Sequence, residues 1–166
     1  MIFADLPSGS TIFVDANTFV YAFAPEPTFG PPSFALIERA CVTEIVAVTS
    51  SHVLSDVAHR LMTIEACATF AWPYKGIATR LKNHPSEVAK LVRYRQVIDQ
   101  INTCGVRVQF VECSDVVTAG ANSSQHGLLS GDALILAIMQ RNNIANVASN
   151  DVDFDRIPGL VRFQPV

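Results

Sequence analysis

Asp15, Asp56, Asp132 and Asp151 are the residues of this sequence best placed to do chemistry, and Asp153 and Asp155 crowd the last of them. Converging carboxylates repel one another unless a cation holds them. Hard divalent ions such as Mg2+ or Mn2+ take carboxylate oxygens and keep several waters. Such an ion lowers the pKa of water and stabilises attacking and leaving oxygens at a phosphodiester. The chemistry that suits this set is phosphodiester hydrolysis.

Each acid also has an ordinary explanation. Asp15 closes an apolar run and could simply cap the helix starting near Asn17. Asp56 stands among Val53, Leu54, Val57 and Ala58, where the solvent edge of an amphipathic helix is the cheaper place for a carboxylate. Asp132 sits in a first helical turn, which the helix dipole favours. Asp155 is expected to cap or solvate the turn before Pro158. What asks for one shared explanation is the company the acids keep. His52, His59, His84 and His126 show no metal-ligand spacing and are expected on the surface or in the core.

The elements that must position these side chains alternate strand with helix. The run Ile12 to Val14 predicts a buried strand ending at Asp15, followed by a helix. Ser33 is expected to cap a helix through about Cys41, and Ile45 to Val48 predicts a second strand. The period of "TSSHVLSDVAHRLMTIEACATF" predicts a helix capped by Ser50 or Ser51. Residues 76–103 are predicted helical and divided in two by Pro85. "VRVQFVE" alternates as a strand, "CSDVVTAGANSSQHG" reads as a helix running into a polar loop, and "SGDALILAIMQRNN" as an apolar helix with Ser130 near its N-cap. "ANVAS" and "LVRFQP" predict the last strands. This order predicts a parallel α/β sheet in one domain, residues 1–166. Asp15 and Asp151 then fall at the C-terminal edge, where such sheets bind ligands.

Composition narrows the setting. Hydrophobic residues make up 49% and charged residues 16% of the 166, a globular mixture rather than a disordered one. No apolar run reaches the roughly 20 residues of a membrane span, and no signal peptide is read at the start, so a cytoplasmic protein is expected. The four cysteines, Cys41, Cys67, Cys104 and Cys113, form no CxxC pair. They are expected reduced and mostly buried. The net charge of −3 means that any contact with nucleic acid must be local, bridged by metal or helped by a partner. Lys75, Arg80 and Lys82, in the basic stretch from Lys75 to Arg95, are candidates for RNA contact, with Trp72 and Tyr74 as possible stacking partners.

Three segments carry a resemblance. "TIFVDANTFVYAF", "VTSSHVLSDVAHRLM" and "SGDALILAIMQRNNIANVASNDVDFDRIPGL", with the closing Pro165, resemble the PIN-domain family, in particular its VapC-type toxins. The match runs from about Thr11 to Pro165 and is least characteristic over residues 66–105. The resemblance implies a three-layer α/β/α sandwich around a parallel sheet. It implies a Mg2+- or Mn2+-dependent endoribonuclease that dimerises, acts on RNA and is neutralised by an antitoxin protein. By the same resemblance Asp15, Asp56, Asp132 and Asp151 are catalytic. Asp15, Asp132, Asp151 and Asp153 hold metal, and Thr18, Ser50 and Asn150 support the pocket. Ser149 stands where the family often has Thr. Asp56 stands where it usually has Glu, one methylene longer.

Two other readings, one enzymatic and one calcium-binding, fail on particular residues. A phosphatase using Asp15 as nucleophile wants a second Asp at Asn17. An EF-hand starting at Asp151 wants Gly at Arg156 and Glu at Arg162. A non-enzyme alternative is a catalytically weak or inactive PIN module that binds RNA or protein, which Asp56 and the acidic balance keep open.

Overall fold

The computed structural model describes residues 1–166. Five strands, β1 (Thr11–Val14), β2 (Val46–Ser50), β3 (Arg107–Gln109), β4 (Asn146–Ala148) and β5 (Val161–Phe163), form one sheet in the order β3-β2-β1-β4-β5. Every neighbouring pair is parallel. Consecutive strand residues point to opposite faces. Ile12, Phe13 and Val14 are nevertheless all fully buried, so helices cover both faces of the sheet. This is why the strands read as continuous apolar runs.

The eight helices are α1 (Ala16–Phe23), α2 (Gly30–Cys41), α3 (Ser51–Phe70), α4 (Ile77–Asn83), α5 (Pro85–Val88), α6 (Arg93–Thr103), α7 (Cys113–His126) and α8 (Ser130–Arg141). The main core joins the inner strands to Phe19, Leu36, Ile37, Val53, Val57, Ile101, Ile138 and Phe154. A smaller core fixes α7 against α8 through Ala119, Ala133, Leu136 and Ala137. The strand order has one reversal. The chain lays β2 and β3 outward from β1, then returns to place β4 on the other side of β1. The crevice beyond the C-terminal ends of β1 and β4 is the topological switch point of the fold.

Several expectations need correction. Residues 76–103 form three helices. Pro85 does open a new helix, but the next turns do not join, and α6 starts afresh at Arg93. Its N-terminus is capped from a distance: the Glu65 carboxylate on α3 accepts from the backbone N–H groups of Val92, Arg93 and Tyr94 at 2.9 to 3.0 Å. That satisfies donors which no local side chain reaches. The polar run after Ala119 is no loop. α7 continues to His126 and ends at Gly127, whose φ of 66° is the left-handed C-terminal stop that glycine permits. Asn122 makes this tolerable by donating to Ala133 O and Gln140 Oε1. Ser33 does not cap α2; it lies inside the helix, buried, with its hydroxyl unpartnered. Glu26 caps that helix instead, accepting from the backbone of Phe29 and Gly30.

The cysteines also differ. Cys41, at the end of α2, is disulfide-bonded to Cys104, just after α6. Cys113 is exposed and Cys67 half-buried, both free. A pairing across 63 residues of sequence leaves no local spacing signature.

Candidate active site

Asp15 follows β1 directly. It is only 7% exposed, and its carboxylate is fully engaged. Oδ1 accepts from Ala16 N at 2.6 Å, which starts α1. Oδ2 accepts from Ser149 Oγ at 2.7 Å and from Asn17 Nδ2 at 2.6 Å. The capping role and the site role therefore belong to the same residue. Burial pushes the Asp15 carboxyl above its usual range, against the pull of these hydrogen bonds and of Arg60.

Asn17 is a residue that sequence reasoning missed. Its Nδ2 also donates to Ser149 Oγ at 3.0 Å, while its Oδ1 accepts from Asn150 N at 3.2 Å. One amide thus bridges the ends of β1 and β4. The sequence carries no local signal for this, because its partners lie more than 130 positions away. Ser149 is fully buried and holds three of these bonds, including one from Asp151 N at 3.0 Å. Thr18, also fully buried, donates to Ala148 O at 3.0 Å and ties α1 to β4. Asn150 places its amide against the Tyr21 hydroxyl at 3.4 Å. Asp151 caps the short 3-10 turn Val152–Arg156, accepting from Asp153 N at 2.9 Å.

Asp132 enters from the first turn of α8. Its carboxyl is pushed up to about 6, first by burial and then by the negative charges of Asp151, Asp15 and Asp153. Four acids from the ends of β1 and β4 and from α8 therefore share one field, to which Asp56 does not contribute. Asp56 is exposed, and its carboxylate lies 3.8 Å from Arg60, one turn further along α3. It does line the same cleft, together with Asp15, Ala16, His52, Val53, Gly131, Asp132 and Ile135.

The remaining assignments fall elsewhere. Ser50 is fully buried and caps α3 by accepting from Val53 N at 3.2 Å; it does not line the cleft. Asp153 also pairs with Arg156. Asp155 is exposed, as expected of a residue that solvates the turn, and it also grips Arg162 through Nε at 2.8 Å and Nη2 at 2.9 Å, which ties the 3-10 turn to β5. Lys75, Arg80 and Lys82 lie on and before α4, beyond the far end of α3. His52, set aside as a surface residue, is exposed but reaches the cleft, with its Nε2 3.7 Å from where a Cβ on Gly131 would stand.

The donor set fits a hard divalent cation. It consists of carboxylate oxygens, and burial followed by their mutual repulsion raises Asp132, so a positive charge is what the site lacks. The side chains make no ready-made cage of three or more ligands. Mg2+ needs none, since it is commonly bound through one or two carboxylates plus waters.

The comparisons with known proteins agree with this fold. Among solved structures the chain is similar to VapBC2 of Rickettsia felis bound to a promoter DNA fragment, with a TM-score of 0.55 and 17% identity over 93% of this chain and 98% of that one. It is similar to VapC20 of Mycobacterium tuberculosis, a sarcin-ricin loop cleaving toxin, with a TM-score of 0.57 and 18% identity over 87% and 92% of the two chains. A toxin–antitoxin complex from Klebsiella pneumoniae gives a TM-score of 0.53 and 14% identity over 90% and 95%. At these identities the likeness is one of fold. No curated protein matches the sequence. The PIN-domain family model matches residues 12–160, and the chain belongs to the PIN-domain family.

Proposed function

We propose that this PIN domain is a Mg2+- or Mn2+-dependent endoribonuclease and the toxin of a type II toxin–antitoxin pair, acting in the cytoplasm on RNA. The observation that carries the reading is the meeting of Asp15, Asp132 and Asp151 at the switch point, where burial and then the charges of the neighbouring acids push the Asp132 carboxyl up to about 6. Asp15, Asp132 and Asp151 would hold the cation, with Asp153 beside them. A bound divalent ion would supply a lowered pKa for water and neutralise charge at the phosphodiester.

The protein's own part is preorganisation. Ser149, Asn17 and Ala16 N fix the rotamer of Asp15, so its oxygens need not reorganise when substrate arrives. Asp132, its carboxyl pushed up to about 6, carries a proton for part of the time near that pH, and a bound cation would favour its ionised form. His52 stands at the rim, where its ring can meet a phosphate oxygen.

An antitoxin partner and a homodimer are supported by two features. The fold is that of toxins solved in complexes with antitoxins. Phe110, Val116, Val117 and Leu129 expose apolar surface at 56% to 77%, which suits a protein interface. No helix is long and apolar enough to cross a membrane.

One observation favours the second reading, a PIN module that binds without cutting: Asp56 is turned to Arg60 rather than to the other acids. Incubating the purified chain and its Asp15→Asn and Asp132→Asn variants with a structured RNA, with and without Mn2+, separates the two. The nuclease reading predicts metal-dependent cleavage that both variants lose.

A further inference from the structure

We propose that the α4 turn is a second RNA-binding surface, separate from the acidic cleft, which holds the substrate strand away from the cut. The choice of RNA as its ligand rests on the nuclease reading above.

The charge pairing of the chain points there. Of its twelve lysines and arginines, Arg39, Arg60, Lys90, Arg141, Arg156 and Arg162 each meet a carboxylate. The other six are Lys75, Arg80, Lys82, Arg93, Arg95 and Arg107, and five of these fall between residues 75 and 95. No acid occurs between Glu65 and Glu87. An acidic protein thus leaves most of its uncompensated positive charge in one segment.

The side chains there form an open cleft lined by no hydrophobic residue. Lys75, Thr79, Arg80, Asn83 and His84 surround Gly76. Gly76 sits at φ 77° with open space where a Cβ would be, so a ligand backbone can approach the chain closely. Arg80 is held in place over the Trp72 ring, 5.5 Å from its centre, and His84 packs against the same ring at 5.3 Å. His84 Nδ1 donates to Arg80 O at 2.7 Å, which leaves Nε2 of this exposed residue free of a protein partner. Tyr74, next to Lys75, is 71% exposed. Cations, polar donors and an exposed aromatic ring without an apolar floor suit a phosphate backbone with a stacked base. A protein partner would look for apolar anchors, and none lines this cleft.

Position gives the surface its role. Asp56 lies near the start of α3 and Phe70, whose ring packs on Trp72, at its end. At 1.5 Å per residue the two are separated by roughly 21 Å along the helix. A stacked strand covers that in roughly six nucleotides at about 3.4 Å each. The surface therefore contacts RNA about six nucleotides from the scissile bond and favours long substrates over short ones.

The test uses the full chain, a labelled 20-nucleotide oligouridylate and EDTA, so that binding is read without cleavage. Lys75→Glu and Arg80→Gln, each with an unchanged melting temperature, should weaken binding about tenfold. Each should also reduce the slope of log Kd against log salt by about 0.7, one single-strand phosphate contact. Lys75 is exposed and unpaired, so its variant folds even if loss of Arg80 disturbs Trp72. With Mn2+, both variants should cut a 20-mer poorly while cutting a hexanucleotide as the wild type does. Unchanged affinity and salt slope in Lys75→Glu would overturn the surface alone, leaving cleavage intact. Loss of cleavage specificity for metal and for Asp15 would instead sink the nuclease reading while the binding result stood. If poly-glutamate displaces the RNA as effectively as unlabelled RNA at equal charge, the surface is a dock for acidic protein and the proposal is wrong.

Discussion

Ser149 Oγ donates to Asp15 Oδ2 at 2.7 Å, across the junction where β1 and β4 lie side by side. Both residues are buried, and this bond, with Asn17 bracing it, decides where the Asp15 carboxylate points. Ser149→Ala should leave Asp15 in place but loosen it, lowering cleavage by about tenfold or more, as loss of an outer partner of a metal-binding group does. The same change should lower stability by roughly 1 kcal/mol. Ser149→Thr should restore both, because it keeps the hydroxyl. RNA cleavage and urea unfolding of the two variants check this, and full activity in Ser149→Ala would show that Asp15 is positioned without it.

The acidic cleft should make stability fall as pH rises. Asp132 titrates at about 6 in the folded chain against an ordinary 3.8, so between these values the folded state binds more protons than the unfolded one. Its contribution is fully present below about pH 4 and is lost by about pH 6. After allowance for screening at a half-exposed group, the loss is roughly 1 kcal/mol. Asp15 acts in the same direction. Without divalent ions, Asp132→Asn should flatten the fall of the urea midpoint from pH 4 to 6.5. At pH 7, Mg2+ should raise the midpoint of the wild type and not of that variant. A midpoint that rises steadily over this range, with no response to the substitution, would contradict the burial and repulsion that raise Asp132.

Asp56 should prove the least demanding of the four acids. It is exposed, pairs loosely with Arg60 and does not contribute to the field on Asp132. Asp56→Asn should change stability by less than about 0.5 kcal/mol and reduce cleavage several-fold. Asp15→Asn and Asp132→Asn should each reduce it by about 100-fold or more. Single-turnover rates of the three variants on one RNA give the ranking, and equal losses would place Asp56 with the others.

Arg141 should matter for the fold alone. It clamps Asp115, which is 2% exposed, through Nε at 2.9 Å and Nη2 at 3.1 Å, and also reaches Glu112 and Phe110 O. Arg141→Ala leaves that buried carboxylate unpaired and should cost roughly 3 kcal/mol. Replacing Asp115 as well, with Leu, should recover part of the loss. Denaturant midpoints of the single and double variants decide it.

The Cys41–Cys104 bond has a direct readout. The unfolded, unreduced chain should titrate two free thiols, Cys67 and Cys113. Reduction should lower stability by roughly 2–4 kcal/mol, as opening a long loop does. Four free thiols in the chain as purified under non-reducing conditions would contradict the pairing.

The fold was largely legible because its strands are buried on both faces. Ile12–Val14 and Val46–Val48 announce themselves as apolar runs, and the alternation with helices leaves few topologies. Asp15 and Asp132 were legible for the same reason: each interrupts or opens a strongly apolar element, so its place at the edge of the core is forced. What was hidden depends on partners far away in sequence. Asn17 looks like an ordinary helix-start residue until Ser149 and Asn150 are beside it. The end of α7 looked like a loop because Asn122 finds its partners on α8. Glu65 gives no hint that it caps α6. Asp56 and Asp132 look equivalent as sequence, yet their neighbours differ: Arg60 one turn away for the first, three other acids for the second.

The most direct test of the metal-dependent nuclease is cleavage of one structured RNA by four proteins, the wild type, Asp15→Asn, Asp132→Asn and Asp151→Asn, with Mn2+ and with EDTA. Cleavage by the wild type with Mn2+, abolished by EDTA and by each substitution, is the predicted result. Equal cleavage by the wild type and the three variants, or cleavage that persists in EDTA, would contradict it.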